Sequence, residues 1–265
     1  MPRSSKPADG LERYVVPNLR NACHILKLLA DRAEGLKIAD IARELDLPVT
    51  TTLRIMATLQ LEGFVHKSDT RFELGPMLVH LGNASLAGIE IHEAALPVLQ
   101  ALSVRADETA HLAVPCDDRA LIVAVQDSPH PLRAASRPGF LAELHCSSTG
   151  KALLAFHFFD RFDALYARTR PARRTPHTLT SVAELRREIE LTRKRGYAID
   201  DEEFHAGVRC LAAPVFASSG ACVAAIGITA AAVRFSRSRL NEVAAIVTAA
   251  AAQLSERLGF RTPGG

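Results

Sequence analysis

Two groups of side chains in this sequence have the types and spacing needed to grip a partner. The first lies within residues 48–62. Placed at 100° per residue, Thr52, Ile55, Met56 and Leu59 fall on one side of a helix. Thr50, Arg54, Ala57 and Leu61 fall on the opposite side, with Leu53 at its edge. Thr50 and Thr51 offer hydroxyls to phosphates or base edges, and Arg54 offers a guanidinium to a guanine or a phosphate. Leu53 or Ala57 offers apolar contact to a thymine methyl. Lys67 and Arg71 follow on a candidate hairpin, placed to hold backbone phosphates. The second group is Ser147, Ser148, Thr149 and Gly150, where a loop meets a helix. Hydroxyls and backbone N–H groups at a helix N-terminus suit an anion. The plain alternative is that they only cap the helix.

Other chemistry finds no support in the sequence. Ser148-Thr149-Gly150-Lys151 has the look of a phosphate loop. That motif needs Gly five residues before Gly150 and Ser or Thr after Lys151, where this chain has His145 and Ala152. No G-x-S-x-G, H-E-x-x-H or G-x-G-x-x-G occurs. His145 and Cys146 are sequence neighbours, and neighbours rarely form a nucleophile–base pair. No catalytic residues, no cofactor and no metal are expected.

The elements that must position these groups follow from periodicity. Leu19, Ala22, Cys23, Leu26 and Leu29 define one helix, and Ile38, Ile41, Ala42 and Leu45 a second. Asp46-Leu47-Pro48 makes the turn into the third, since Asp tolerates the left-handed conformation and Pro suits a first helical turn. Gly63 ends that helix. Residues 64–74 alternate around Ser68-Asp69-Thr70, which reads as a hairpin. Three short helices and a hairpin make a winged helix, although three short helices also occur in proteins that bind no DNA. Gly75-Pro76 opens a helix reaching about Gly88, which links two domains.

After residue 89 helices are expected near 89–106, 149–158, 182–195 and from Ser236 onward, with Ser236 as N-cap. Strands are expected at 109–114, 120–126, 211–216 and 222–229. This mixture reads as α+β with a largely antiparallel sheet. The expected organisation is a flexible tail at 1–17, a winged helix-turn-helix at 18–74, a linker helix at 75–88, a larger domain at 89–260 and a tail at 261–265.

Bulk composition is that of an ordinary soluble protein, 48% apolar and 23% charged, with a net charge of +3. Residues 1–88 hold eleven Lys and Arg against ten Asp and Glu, so electrostatics does not decide the question of DNA. Five widely spaced cysteines and no C-x-x-C read as reduced thiols in the cytoplasm. The polar start lacks the apolar core of a signal peptide. The uncharged stretch 210–233 is broken by Pro214 and Ser218-Ser219-Gly220, which favours two strands over a membrane helix. The Arg-rich stretch 186–195 also carries Glu188 and Glu190 and reads as a solvated helix face. Residues 168–174 read as a surface loop.

The order and wording of the segments resemble the IclR family of transcription regulators. Gly63-Phe64-Val65, closing a helix that contains Thr51 and Arg54, looks like that family's recognition helix. Leu144 to Ala155 is a second match. Gly196 to Glu203, followed by Gly207 to Val215, is a third. Asp46 departs from the Gly common at the turn but can adopt the same backbone. The resemblance implies a winged helix-turn-helix joined by a linker helix to a GAF-like α/β effector-binding domain. It also implies an operator DNA partner, assembly as a homodimer or homotetramer, and a small-molecule effector, often a small organic or aromatic acid. By the same resemblance, Ser147, Ser148, Thr149, Asp200, Cys210, Gly227 and Thr229 line the effector pocket, and Arg209 is structural.

Two other readings stand beside this one. A metal- or redox-responsive regulator would use Cys146, Cys210, Cys222, His111 and His145, although zinc sites usually show a close ligand pair that is missing here. A binding module without DNA activity is the other.

Overall fold

The structure is a computed structural model that describes residues 12–87, 90–131, 133–134, 136–167 and 170–261. Most of the expected N-terminal tail and almost all of the C-terminal one lie outside the described residues. Contacts divide the chain into two compact units, Met1–Gly88 and Ile89–Gly265.

The first unit opens with α1 (Pro17–Ala30), α2 (Ile38–Glu44) and α3 (Val49–Leu61). Hairpin strands β1 (Val65–Ser68) and β2 (Arg71–Leu74) and then α4 (Pro76–Ala87) complete it. Ile25 and Leu29 of α1, Ile41 of α2, and Ile55, Met56 and Leu59 of α3 close on Val65 and Phe72 of the hairpin. Asp46 takes the left-handed conformation expected of it, φ 50°, and the next amide, Leu47 N, returns to Ala42 O at 2.8 Å. Gly63 (φ 74°) ends α3, and Phe64 N reaches back to Leu59 O, which satisfies a carbonyl that helix ends leave open. Asp69 (φ 53°) makes the two-residue hairpin turn. A bridge between Leu36 and Phe72 ties the hairpin to the stretch between α1 and α2.

The second unit holds α5 (Glu90–Ala106), β3 (Thr109–Cys116), β4 (Arg119–Gln126), β5 (Leu141–Glu143), α6 (Ser148–Phe156) and α7 (Phe162–Tyr166). It continues with α8 (Val182–Arg195), β6 (Ala198–Asp201), β7 (Val208–Phe216), β8 (Cys222–Ala231) and α9 (Leu240–Arg257). The strands form one sheet in the order β5-β4-β3-β8-β7-β6, antiparallel throughout. Side chains alternate across it. Ala113, Ala212 and Ala225 face α6 and α8, while Leu112, Leu211, Ala213 and Ile226 face the layer of α5 and α9. The stretch 210–233 is indeed two strands around a turn, and no helix among the described residues is long and apolar enough to cross a membrane.

Four elements depart from expectation. β5 and β6 are strands of three and four residues, too short to show a period. α7 is a single short turn of helix. The last helix starts at Leu240, after a 3-10 turn at Arg237–Arg239. Ser236 does not cap it, because its hydroxyl pairs with Ser238 Oγ at 2.8 Å.

Candidate functional site

The first candidate surface is the N-terminal half of α3. The apolar period of the sequence buries Thr52, Ile55, Met56 and Leu59, so the other face must point out. Thr50, Leu53 and Arg54 are exposed there, Leu53 by 53%. Thr51 is half-buried. Val49 is 56% exposed on the same face and was not expected. No side chain caps this helix end, and no acid stands in its first turn. Its leading N–H groups are therefore open to an anion, and the helix dipole favours one. Arg54 has no side-chain partner among the described residues. Lys67 is exposed on the hairpin, with its Nζ 6.0 Å from the Phe72 ring. Arg71 is also exposed, but it donates to Gly35 O at 2.8 Å. That bond gives Arg71 a role in tying the hairpin to the unit, which competes with phosphate contact.

The second candidate is a cavity of about 260 Å³ in the larger unit. Its floor is built by strand register. Asp200 on β6 pairs with Cys210 on β7, and Cys210 pairs with Thr229 on β8. Partners in register share a face, so residues 10 and 19 apart in sequence form one polar row. Thr229 Oγ1 lies 3.4 Å from Cys210 Sγ, from His111 Nδ1 and from Ser136 Oγ. Ser147, Ser148 and Thr149 at the start of α6 form another wall. Phe140 and Phe204, edge to face at 5.8 Å, form a third. Arg137 and His205 line it with exposed side chains.

The start of α6 answers the capping question in part. Ser147 Oγ accepts from Gly150 N at 3.0 Å and donates to Glu143 O at 2.7 Å, so this hydroxyl is a cap. Gly150 is required there, because a Cβ would stand 2.2 Å from Glu143 O. Ser148 and Thr149 carry no such cap bond, and their backbone N–H groups have no partner among the described residues.

Six of the seven residues expected in the pocket line this cavity: Ser147, Ser148, Thr149, Asp200, Cys210 and Thr229. Gly227 is not among the lining residues. A Cβ there would meet Leu211 O at 2.3 Å, so close strand packing accounts for the glycine. His111, Phe140 and Phe204 were not expected in a pocket. The sequence offers His111 only as a candidate metal ligand.

Burial sets the protonation of the floor. It pulls His111 down to about 4, leaving the ring neutral. It pushes Asp200 up to about 7, against the attraction of Lys151 and two backbone N–H groups. Those N–H groups, of Glu203 and Phe204, reach Asp200 Oδ1 at 2.7 and 3.2 Å. Behind the wall, Lys151 is fully buried; it donates to Glu203 Oε1 and lies 3.9 Å from Glu188. Glu203 Oε2 is buried and has no hydrogen-bond partner among the described residues. Arg209, buried outside the cavity, bonds Asp201 and the carbonyls of Ala232 and Phe235, which is the structural role expected of it.

The thiols and imidazoles considered for a metal do not converge. Among the described residues, the one group of three such ligand side chains within 4.8 Å of one another is Glu143, His145 and Cys146. Each donor is already engaged. Glu143 takes a two-pronged contact from Arg174 at 2.8 and 2.9 Å, and Arg119 lies 3.6 Å away. His145 Nε2 bonds Ala172 O at 2.8 Å, and Cys146 Sγ donates to Glu143 at 3.3 Å. Burial pushes the Cys222 thiol up to about 12 and raises those of Cys146 and Cys210 as well. Thiols held protonated are poor metal ligands and slow to oxidise.

Comparison with known proteins places both units. The IclR helix-turn-helix domain matches residues 19–69, and the family described as bacterial transcriptional regulator IclR C-terminal matches residues 83–256. The HTH-type transcriptional regulator BhcR of Paracoccus denitrificans is 34% identical over 250 residues, covering 93% of this chain and 89% of that protein. An IclR transcriptional regulator from Alicyclobacillus acidocaldarius superposes with a TM-score of 0.80 at 25% identity, over 92% of this chain and 99% of that one. An IclR homologue from Microbacterium hydrocarbonoxydans, complexed with 4-hydroxybenzoate, superposes with a TM-score of 0.77 at 22% identity, over 91% of this chain and 99% of that one. At that identity the likeness is one of fold.

Proposed function

The chain belongs to the IclR family of bacterial transcriptional regulators, and from that membership we propose how its parts divide the work. Members of this family are DNA-binding regulators and not enzymes. Residues 18–74 are the DNA-binding domain, residues 75–88 the linker helix and residues 89–260 the effector-binding domain. The protein acts in the cytoplasm as a homodimer or homotetramer whose winged helices read two half-sites of an imperfect palindrome. Thr50, Thr51, Leu53 and Arg54, with Val49 beside them, enter the major groove. Lys67 holds backbone phosphate, and Arg71 adds to this while bracing the hairpin.

The effector is a small organic or aromatic acid held in the cavity of Ser147, Ser148, Thr149, Asp200, Cys210 and Thr229. The observation that carries this reading is the cavity itself, with unpartnered N–H groups of α6 on one wall and a polar row on its floor. About 260 Å³ lies below the roughly 300–1,000 Å³ of drug-sized sites, so the ligand is small. Two phenyl rings on the wall suit a flat or aromatic body. The 4-hydroxybenzoate held by the Microbacterium homologue is an acid of this kind. Binding of the acid shifts the relative placement of the domains, because it favours one arrangement over the other. The metal and redox readings gain no support, since their donors are bonded and their thiols protonated.

A gel-shift titration of the protein against its own upstream DNA, with competitor DNA and with small acids added, tests the proposal. Specific retention that changes when an acid is added is the expected result. Absence of specific retention with every acid and with genome-wide fragments would overturn it.

A further inference from the structure

The cavity already holds an acid where it is to receive one. Asp200 is 2% exposed and stands in the wall. Two ionised carboxylates inside one small, poorly solvated space repel strongly, and one of such a pair keeps its proton. The groups around Asp200 offer little relief. From β3, His111 is buried and neutral. From β7, Cys210 is a protonated thiol, and so is Cys146 on the loop before α6. From α6, Lys151 attracts Asp200, but this cation is already shared with Glu203 and lies near Glu188. Glu203 itself repels Asp200. Arg137 and His205 line the cavity with exposed side chains, screened by water. The α6 N-terminus supplies only about half a positive charge. A carboxylate ligand therefore brings one negative charge more than the buried wall can neutralise.

We propose that the acid effector binds together with one proton taken from solvent, which Asp200 holds and donates to the ligand carboxylate as a hydrogen bond. This rests on the reading of the cavity as an acid site. The proton balance approaches one taken up per ligand where free Asp200 is ionised, well above pH 7, and falls towards none at lower pH, where Asp200 already holds its proton. A buried neutral carboxyl acting as donor is an established device where burial is strong. Affinity for an anionic effector then falls as pH rises, so the regulator senses the acid and acidity together.

Calorimetric titration of the full-length protein tests this. The probes are benzoate, 4-hydroxybenzoate and glycolate, each titrated in phosphate and in Tris at pH 8. The expected apparent enthalpies differ between buffers by the amount that uptake of nearly one proton requires. The expected Kd weakens about fivefold from pH 7 to pH 8 and approaches tenfold per pH unit beyond, as one linked proton demands. In Asp200→Asn the amide donates without titrating, so the buffer difference vanishes and the Kd no longer changes with pH. Binding by the wild type without proton uptake would overturn the proposal, and that count stands alone if Asp200→Asn does not fold. Uptake that persists in a folded Asp200→Asn would also overturn it. If no acid binds either protein at pH 6 or pH 8, the acid reading of the cavity falls, and the proposal falls with it.

Discussion

Replacing Asp200 by Asn removes a titrating proton from the cavity wall while leaving its shape and the acceptor for Glu203 N and Phe204 N. Burial raises Asp200 from 3.8 to about 7 in the folded protein. The unfolded chain ionises this group at the lower value, so the folded state binds the proton more tightly. Asp200 thus contributes stability that is fully present below pH 3.8 and is lost as pH rises through 7. A shift of about three pH units at about 1.4 kcal/mol each is worth about 4 kcal/mol over the full range. About 3 kcal/mol of it falls between pH 4.5 and pH 8. Other titrating groups largely cancel between wild type and variant. Urea unfolding of both proteins, followed by circular dichroism at several pH values, reads the difference. Asp200→Asn should gain on the wild type by about 3 kcal/mol as pH rises across that window. A difference that stays flat within about 1 kcal/mol would mean that burial does not hold the proton on Asp200. A difference of opposite sign would mean that Lys151 outweighs burial and holds Asp200 as a carboxylate.

Substitutions elsewhere test the DNA-reading helix, the α6 cap and the buried ion pair. Arg54→Ala should cost about 1–3 kcal/mol of operator affinity in a gel shift and leave the melting curve unchanged, if its guanidinium reads a base. Gly150→Ala sets a Cβ against Glu143 O and should destabilise the larger unit by about 3 kcal/mol in urea unfolding, with a matching loss of acid binding. Lys151→Met leaves Glu203 buried without its cation and should cost about 3–5 kcal/mol at neutral pH. That loss should shrink as pH falls, because burial already raises Glu203 and its neutral form needs no partner.

The helix-turn-helix unit was legible because helical periodicity separates a buried from an exposed face. The apolar set of α3 fixes which side chains must point outward. Arg71 shows the limit of that logic, since its bond to Gly35 O joins positions far apart in sequence. The start of α6 was legible as a loop meeting a helix. The polar floor was not legible from spacing. Asp200, Cys210 and Thr229 meet only because β6, β7 and β8 pair in one register, and the family resemblance named them. β6 itself hid because Asp200-Asp201 makes a four-residue strand look like a turn. Phe140 and Phe204 sit outside helix and strand, where no periodicity marks an inward side chain. Lys151 did leave a signal. A lone Lys within Gly150-Lys151-Ala152-Leu153-Leu154-Ala155 interrupts an apolar run, which marks a cation that needs a buried acid.

If an acid in this cavity controls operator affinity, operator binding changes with acid concentration. Fluorescence anisotropy of a labelled operator, titrated with the protein at rising acid concentration, measures that directly in the wild type and in Thr149→Val. The expected result is an acid-dependent shift of roughly 5-fold or more in the wild type, a typical allosteric coupling, and a much smaller shift in the variant. An equal shift in both proteins would place the effector site elsewhere.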